Sequence, residues 1–368
     1  MISRSQTALF AAPVALSLAI FGCGGSGGTG ETSTTSGSGG AGGNATTTTG
    51  STGGSSTSAG GNEATSSASS SGTGGSASQG TPMFITAGYE DRRLSSLDGT
   101  TWSNDTSDPP DPGGLDNIGT GIAFGKGLVL VSSHTGVVTS PDGITWTKLP
   151  APLPQKWPGL GGSAAIFANG QFVIVAGDRN YTSNDGVTFK ETMSAAGATH
   201  WSGLAHGNGK LIAVGDSNAA GGDRKVSEDG ETWHDYVAGG PSYHGVAFGN
   251  GVFVLVGEQG LCLTTTDGST IEDHTDASLG FDNLAFGNGV FLSCGNAACQ
   301  TSPDGKTWTK KDGYGPGGRL AFGAGVFVGV SWKSNISTSA DGFTWKNVFS
   351  GADPTPALAT VAFGLVGK

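Results

Sequence analysis

A Ser/Thr-x-Asp-Gly-x-Thr-Trp-like turn recurs seven times, at Ser96–Trp102, Ser140–Trp146, Ser183–Phe189, Ser227–Trp233, Thr265–Ile271, Ser302–Trp308 and Ser339–Trp345. The Asp-Gly pairs begin at 98, 142, 185, 229, 267, 304 and 341, so the steps are 44, 43, 44, 38, 37 and 37 residues. A period of about 40 residues is that of a four-stranded propeller blade. Almost every interval also holds a second motif of the Ala-Phe-Gly-Asn-Gly type. Its copies are Ala123–Gly127, Ile166–Gly170, Ala205–Gly209, Ala247–Gly251, Ala285–Gly289 and Ala321–Gly325, with a partial one at Ala362–Gly364.

Each motif has a mechanical reading. Asn-Gly between two apolar runs is a hairpin signal, because both residues tolerate positive φ. It joins a short strand such as Gly245–Phe248 to a longer one, Val252–Val256. The Asp-Gly turn then joins a third strand to a fourth. Its hydroxyl and carboxylate can accept turn N–H groups while Gly takes the left-handed position. The following Trp or Phe is placed to pack on a neighbouring sheet. No segment of the repeat region has a helical period.

The two ends complement each other. The first copy has a second-strand sequence, Met83–Gly88, without a preceding first strand. The chain finishes on Thr360–Gly364, a first-strand sequence with almost nothing after it. The expected fold is therefore all-β: a seven-bladed propeller of four-stranded blades, closed by the C-terminal strand joining the N-terminal blade. Six or eight blades, or another closed β architecture, are the alternatives. An open β-solenoid would need capping repeats instead of complementary fragments.

Residues 1–22 read as a signal sequence, with Arg4 before an apolar stretch from Ala8 to Phe21. From Gly24 to Gly80 the chain is almost entirely Gly, Ser, Thr and Ala, with only two charges, Glu31 and Glu63, and no aromatic residue. Such a composition buries too little apolar surface to order itself, so residues 23–80 are expected to be a disordered tether spanning roughly 40 Å. Residues 81–368 remain for the propeller, enough for one large core. The apolar run near the start is too short for a membrane span, and no second one follows.

A net charge of −11 and a pI of about 4.8 argue against nucleic-acid binding. No phosphate-cradling loop, zinc spacing or calcium loop is present, so no cofactor or metal is expected. Cys294 and Cys299 flank a short connection and are candidates for a disulfide across a hairpin, which leaves Cys262 as a buried thiol. The scattered histidines, among them His134, His200 and His274, give no nucleophile–base pair, and no catalytic residue is assigned.

Variable segments lie between second and third strands and between blades, where rigid scaffolds display function. Candidate ligand-binding residues there are Arg92, Asp178, Arg179, Trp201, Tyr243, His244, Glu258, Asp282, Arg319 and Trp332. Rings with Arg, Asp and His around a central mouth suit a glycan or a protein surface. Trp201, Tyr243 and Phe281 stand at equivalent places before the first strand, so sealing the mouth is their competing role. His206 replaces Phe in the second motif and reads as a core imidazole.

The seven turns resemble the Asp-box, or BNR, repeat of sialidases. The ring is similar to photosystem II assembly-factor propellers and to the YVTN/WD40-like class. Sialidase resemblance would imply an arginine triad and a Tyr nucleophile with its Glu. The propeller holds only Arg92, Arg93, Arg179, Arg224 and Arg319, and it lacks a Phe/Tyr-Arg-Ile-Pro segment. Ile20-Phe21-Gly22-Cys23 resembles a bacterial lipobox, which implies lipidation of Cys23. Gly24 after it implies an outer-membrane address in the cell envelope; without lipidation the protein would be secreted.

The expected function is a surface-anchored lipoprotein whose propeller binds a glycan or protein partner, with the membrane met only through the lipid anchor. A glycoside hydrolase or lyase using Asp178, Glu258 or Asp282 is the alternative. An assembly factor for envelope complexes is the third reading.

Overall fold

In a computed structural model the described residues are 65–66, 80–107, 118–133, 136–150, 163–193, 200–217, 221–237, 239–331, 334–351 and 356–367. They form seven antiparallel sheets in a ring, each a four-stranded blade, and the sheet of blade 5 carries a fifth, two-residue strand, Thr65–Ser66, from the segment expected to be a disordered tether. The segment expected to be a signal sequence, Cys23, most of the expected tether, His134 and Trp332 lie outside the described residues. No described helix is long and apolar enough to cross a membrane.

Blade 1 is built from both ends of the propeller region: Leu358–Val366 is its inner strand, followed outward by Thr81–Gly88, Arg93–Ser96 and Ser103–Thr106. Phe84 lies opposite Phe363 and Thr86 opposite Val361, so the termini share one sheet. The inner strands of blades 2 to 7 are Gly119–Gly125, Ser163–Ala168, His200–Gly207, Tyr243–Gly249, Ala285–Gly287 and Leu320–Gly323. The remaining strands of each blade follow outward in chain order. The sequence expectation of a sevenfold ring closed by the C-terminal strand holds.

The Asp-Gly turns sit between third and outer strands, and all seven share one geometry. The Ser or Thr hydroxyl accepts the Gly N–H at 2.8–2.9 Å. The Asp carboxylate accepts the N–H three residues on at 2.7–3.0 Å. The glycine takes φ of 71–79°, which a side chain adopts only with strain. Each turn glycine also rests on the preceding blade. A Cβ on Gly143 would meet Met83, and one on Gly305 would meet Val254.

Those N–H bonds hold Asp142 and Asp185 down at about 2, and they lower Asp98, Asp267, Asp304 and Asp341 as well. Their unfolded value is about 4. The turns therefore contribute fully above about pH 4, and that contribution is lost as pH falls through 2. The unfolding temperature is expected to drop steeply between pH 4 and 2; a flat profile there would contradict this role.

The second motif explains how the blades meet at the channel. A Cβ on Gly364, Gly125, Gly207, Gly249, Gly287 or Gly323 would lie 2.1–2.3 Å from the next blade's ring. Those rings are Phe124, Phe167, Phe248, Phe286, Phe322 and Phe363. Glycine is thus needed because an aromatic face covers the position. Blade 3 departs from the rule with Ala168, and blade 4 answers with the smaller His206. Burial without a partner for Nε2 lowers the pKa of His206, so the imidazole is neutral at pH 7.

This pairing gives a double-mutant test. His206→Phe alone should cost about 1–3 kcal/mol through overpacking against Ala168. Adding Ala168→Gly should restore wild-type stability or better, a coupling that urea unfolding would detect. Additive losses would refute the proposed complementarity.

Candidate channel-mouth site

Three positions before the first residue of the second motif (alanine in all blades but the third, which has Ile166) stands a ring of mostly polar residues. From blade 2 around to blade 1 it reads Thr120, Ser163, Ser202, His244, Asp282, Gly318 and Ala359. These positions lie at the end of the inner strands opposite the hairpin turns, so they surround the mouth on the loop face. Thr120 and Ser163 join blades 2 and 3 through their hydroxyls at 2.8 Å, and Ser132 reaches Ser163 at 2.9 Å.

Arg319 follows the blade 7 member of this ring. Its guanidinium crosses the channel to blade 4, where Nη1 donates to the Ser202 carbonyl, and it also donates to the blade 5 carbonyl of His244 at 3.4 Å. At the same register blades 2, 4 and 5 carry Gly121, Gly203 and Gly245, so the long cation is particular to blade 7. Burial lowers its pKa, yet a guanidinium keeps its charge. His244 is oriented by Phe281: a carbonyl can only accept, so Nδ1 carries the proton donated to the Phe281 carbonyl. Nε2 is then the nitrogen left for a ligand.

The other candidates do not join this group. Arg92 is buried; it forks onto Asp105 at 2.6 and 2.8 Å and reaches Ser334 and the Pro356 carbonyl at 3.1 and 2.8 Å. It therefore ties blade 1 to blade 7. Asp178 lies 3.7 Å from Arg179, which also bonds Glu191 in the outer strand of blade 3. Glu258 is exposed on a single 3-10 turn, Glu258–Gly260, in blade 5. Asp282 is exposed and lies over the turn at Gly295.

Trp201 and Tyr243 are only 2% and 4% exposed. Trp201 donates to the Gly177 carbonyl at 2.9 Å, and Lys225 sits 5.1 Å from its ring centroid. Both aromatics belong to the core between blades 3, 4 and 5. Burial assigns them to packing, and the mouth itself is polar.

Sequence reasoning missed Thr120, Ser163 and Ser202. Counting back three residues from the first residue of each second motif (Ala123, Ile166 and Ala205) would have found them. The five propeller arginines do not converge: Arg93 stacks on Trp146 at 5.0 Å and Arg224 on Tyr236 at 4.9 Å, in separate blades. A disulfide joins Cys294 to Cys299, which face each other on neighbouring strands. Cys262 is a free buried thiol, and burial pushes its pKa up to about 11. No group of three metal-binding side chains occurs among the described residues.

No protein-family profile matches the chain, and no curated protein matches it. Solved structures do. YCF48 bound to D1 peptide is 17% identical, with a TM-score of 0.50 over 68% of this chain and 90% of that one. A catalytically inactive virginiamycin B lyase from Staphylococcus aureus, solved with quinupristin, is 13% identical, with a TM-score of 0.51 over 68% and 93%. At these identities the likeness is one of fold, and the fold it supports is the seven-bladed β-propeller.

Proposed function

We propose that this protein is a binding scaffold of the bacterial cell envelope whose loop-face channel mouth engages a protein partner. The observation that carries this reading is the polar mouth itself. A rigid ring presents an oriented imidazole and a guanidinium that has no carboxylate among the described residues. Rigid scaffolds with recognition groups at one rim suit binding. The solved YCF48 structure, a propeller with a bound peptide, is a precedent for the fold.

The lipobox-like Ile20–Cys23 and the 57-residue tether support an anchored address. Lipidation at Cys23 would hold the propeller off the outer membrane. A glycan partner remains the alternative ligand class. The hydrolase or lyase reading has the virginiamycin B lyase as a precedent for the fold, but its acids Asp178, Glu258 and Asp282 stand on loops of three different blades.

Two measurements test the proposal. Labelled palmitate should be incorporated by the full chain and not by Cys23→Ala; equal labelling would refute the anchor. Cross-linking in intact cells should capture a protein partner that Arg319→Gln reduces at least tenfold. Undiminished capture would refute the mouth as the binding face.

A further inference from the structure

We infer that the central channel is a slot for an extended peptide, with Arg319 and His244 receiving that peptide's C-terminal carboxylate. The inference rests on the binding-scaffold reading and names its ligand chemistry.

The first ground is charge. Of the five propeller arginines, Arg92 and Arg179 are paired with carboxylates, and Arg93 and Arg224 lie over aromatic rings. Arg319 has neither among the described residues; only carbonyl oxygens meet it, through one of its nitrogens. Carbonyl acceptors orient a guanidinium without neutralising it. A half-buried cation in a chain of net charge −11 is an unusual arrangement unless an anion completes it. The planar fork suits a carboxylate, which can take two parallel N–H bonds. His244, whose carbonyl accepts from Arg319, keeps Nδ1 on the Phe281 carbonyl and so leaves Nε2 as a further polar group.

The second ground is the edge that lines the slot. Thr65–Ser66 runs antiparallel along the inner strand Tyr243–Gly249, with Thr65 opposite Phe248 and Ser66 opposite Ala247. The same two residues also come within 8 Å, Cα to Cα, of the inner strands of blades 4, 6 and 7, so they lie inside the ring. The channel edge of blade 5 therefore already accepts an extended backbone by strand addition. A saccharide could not form that ladder, which is why a peptide is favoured over a glycan.

Direction follows from the register. Tyr243–Gly249 begins at the mouth and ends at the hairpin turn. A peptide antiparallel to it finishes at the mouth. With one peptide residue opposite Ala247, as Ser66 is, the next peptide residues would stand opposite Val246, Gly245 and then His244. A free C-terminus ending there meets the guanidinium of Arg319, whereas an amidated end loses the charge that Arg319 recognises.

The test uses the full-length protein immobilised and challenged with a pool of random octapeptides bearing free C-terminal carboxylates, beside the same pool amidated. Retention of the free-acid pool should exceed that of the amidated pool at least tenfold. Arg319→Gln should abolish the preference, and Arg319→Lys should keep part of it. Reactivity of the Cys262 thiol reports folding, since it is shielded only in the native ring; if Arg319→Gln exposes it, Arg319→Lys decides. Thr65→Pro with Ser66→Pro removes the competing strand and should tighten retention.

Equal retention of both pools, a preference unchanged in Arg319→Gln, or no gain from the proline pair would overturn the inference. In the first case the scaffold reading survives with another mode of peptide contact. Capture of acidic glycans with no peptide retained would sink both.

Discussion

Removing residues 357–368 is expected to leave no folded monomer. The deleted strand supplies Leu358, Val361, Ala362 and Val366 to the core, all at most 3% exposed, together with Phe363 against Phe84 at 4.6 Å. At 1.5–3 kcal/mol per large buried side chain, the lost apolar burial is on the order of 8 kcal/mol. That equals most or all of the 5–15 kcal/mol margin of an ordinary domain. The deletion also bares the inner edge of Thr81–Gly88 and opens the seam between blades 7 and 2, because Gly364 seats Phe124 and Gly323 seats Phe363. An uncovered edge invites pairing with other chains. Gel filtration of the truncated protein should show aggregate. A soluble monomer with native circular dichroism would contradict closure by the last strand.

The second large effect is at Trp201. Trp201→Ala should cost about 4 kcal/mol, the usual range for emptying a fully buried aromatic site. The change removes packing against Val173, Val175 and Leu204, the bond to the Gly177 carbonyl, and the ring beside Lys225. Trp201→Phe keeps much of the ring and should lose less than half as much. Urea unfolding reads both. A loss below 1 kcal/mol combined with a large change in ligand capture would restore Trp201 as a contact residue.

How much was legible follows from where the repeat chemistry lies. The turns were readable because Ser-x-Asp-Gly is a local device: the bonds that its Ser and Asp side chains make to shape it close within three residues. The closure was readable because the two ends carry complementary halves of one blade. The blade-to-blade fit was half readable. Ala-Phe-Gly was visible as a motif, but its reason lies in the next repeat: the glycine meets a ring about 40 residues further along, except at Gly364, which closes the circle onto Phe124.

The site was the least legible part. Trp201 and Tyr243 stand where ligand aromatics or mouth-sealing aromatics could stand, and residue type cannot separate the two. Arg319 was among the candidates, but its setting joins residues 117 apart in sequence. Only the closed ring brings blade 7 opposite blade 4. Arg92 illustrates the opposite outcome: an arginine on a loop, apparently ready for a ligand, whose donors are consumed by Asp105, Ser334 and Pro356.

The most direct test of the ring is a covalent link across its seam. Pro82 and Leu365 are exposed and face each other between the second and inner strands of blade 1. In Pro82→Cys with Leu365→Cys, mild oxidation should join the two positions in the folded protein. Mass spectrometry of the digest should recover the linked peptides, and the unfolding temperature should rise. Two thiols that stay free while the protein remains folded would contradict a propeller closed by its own termini.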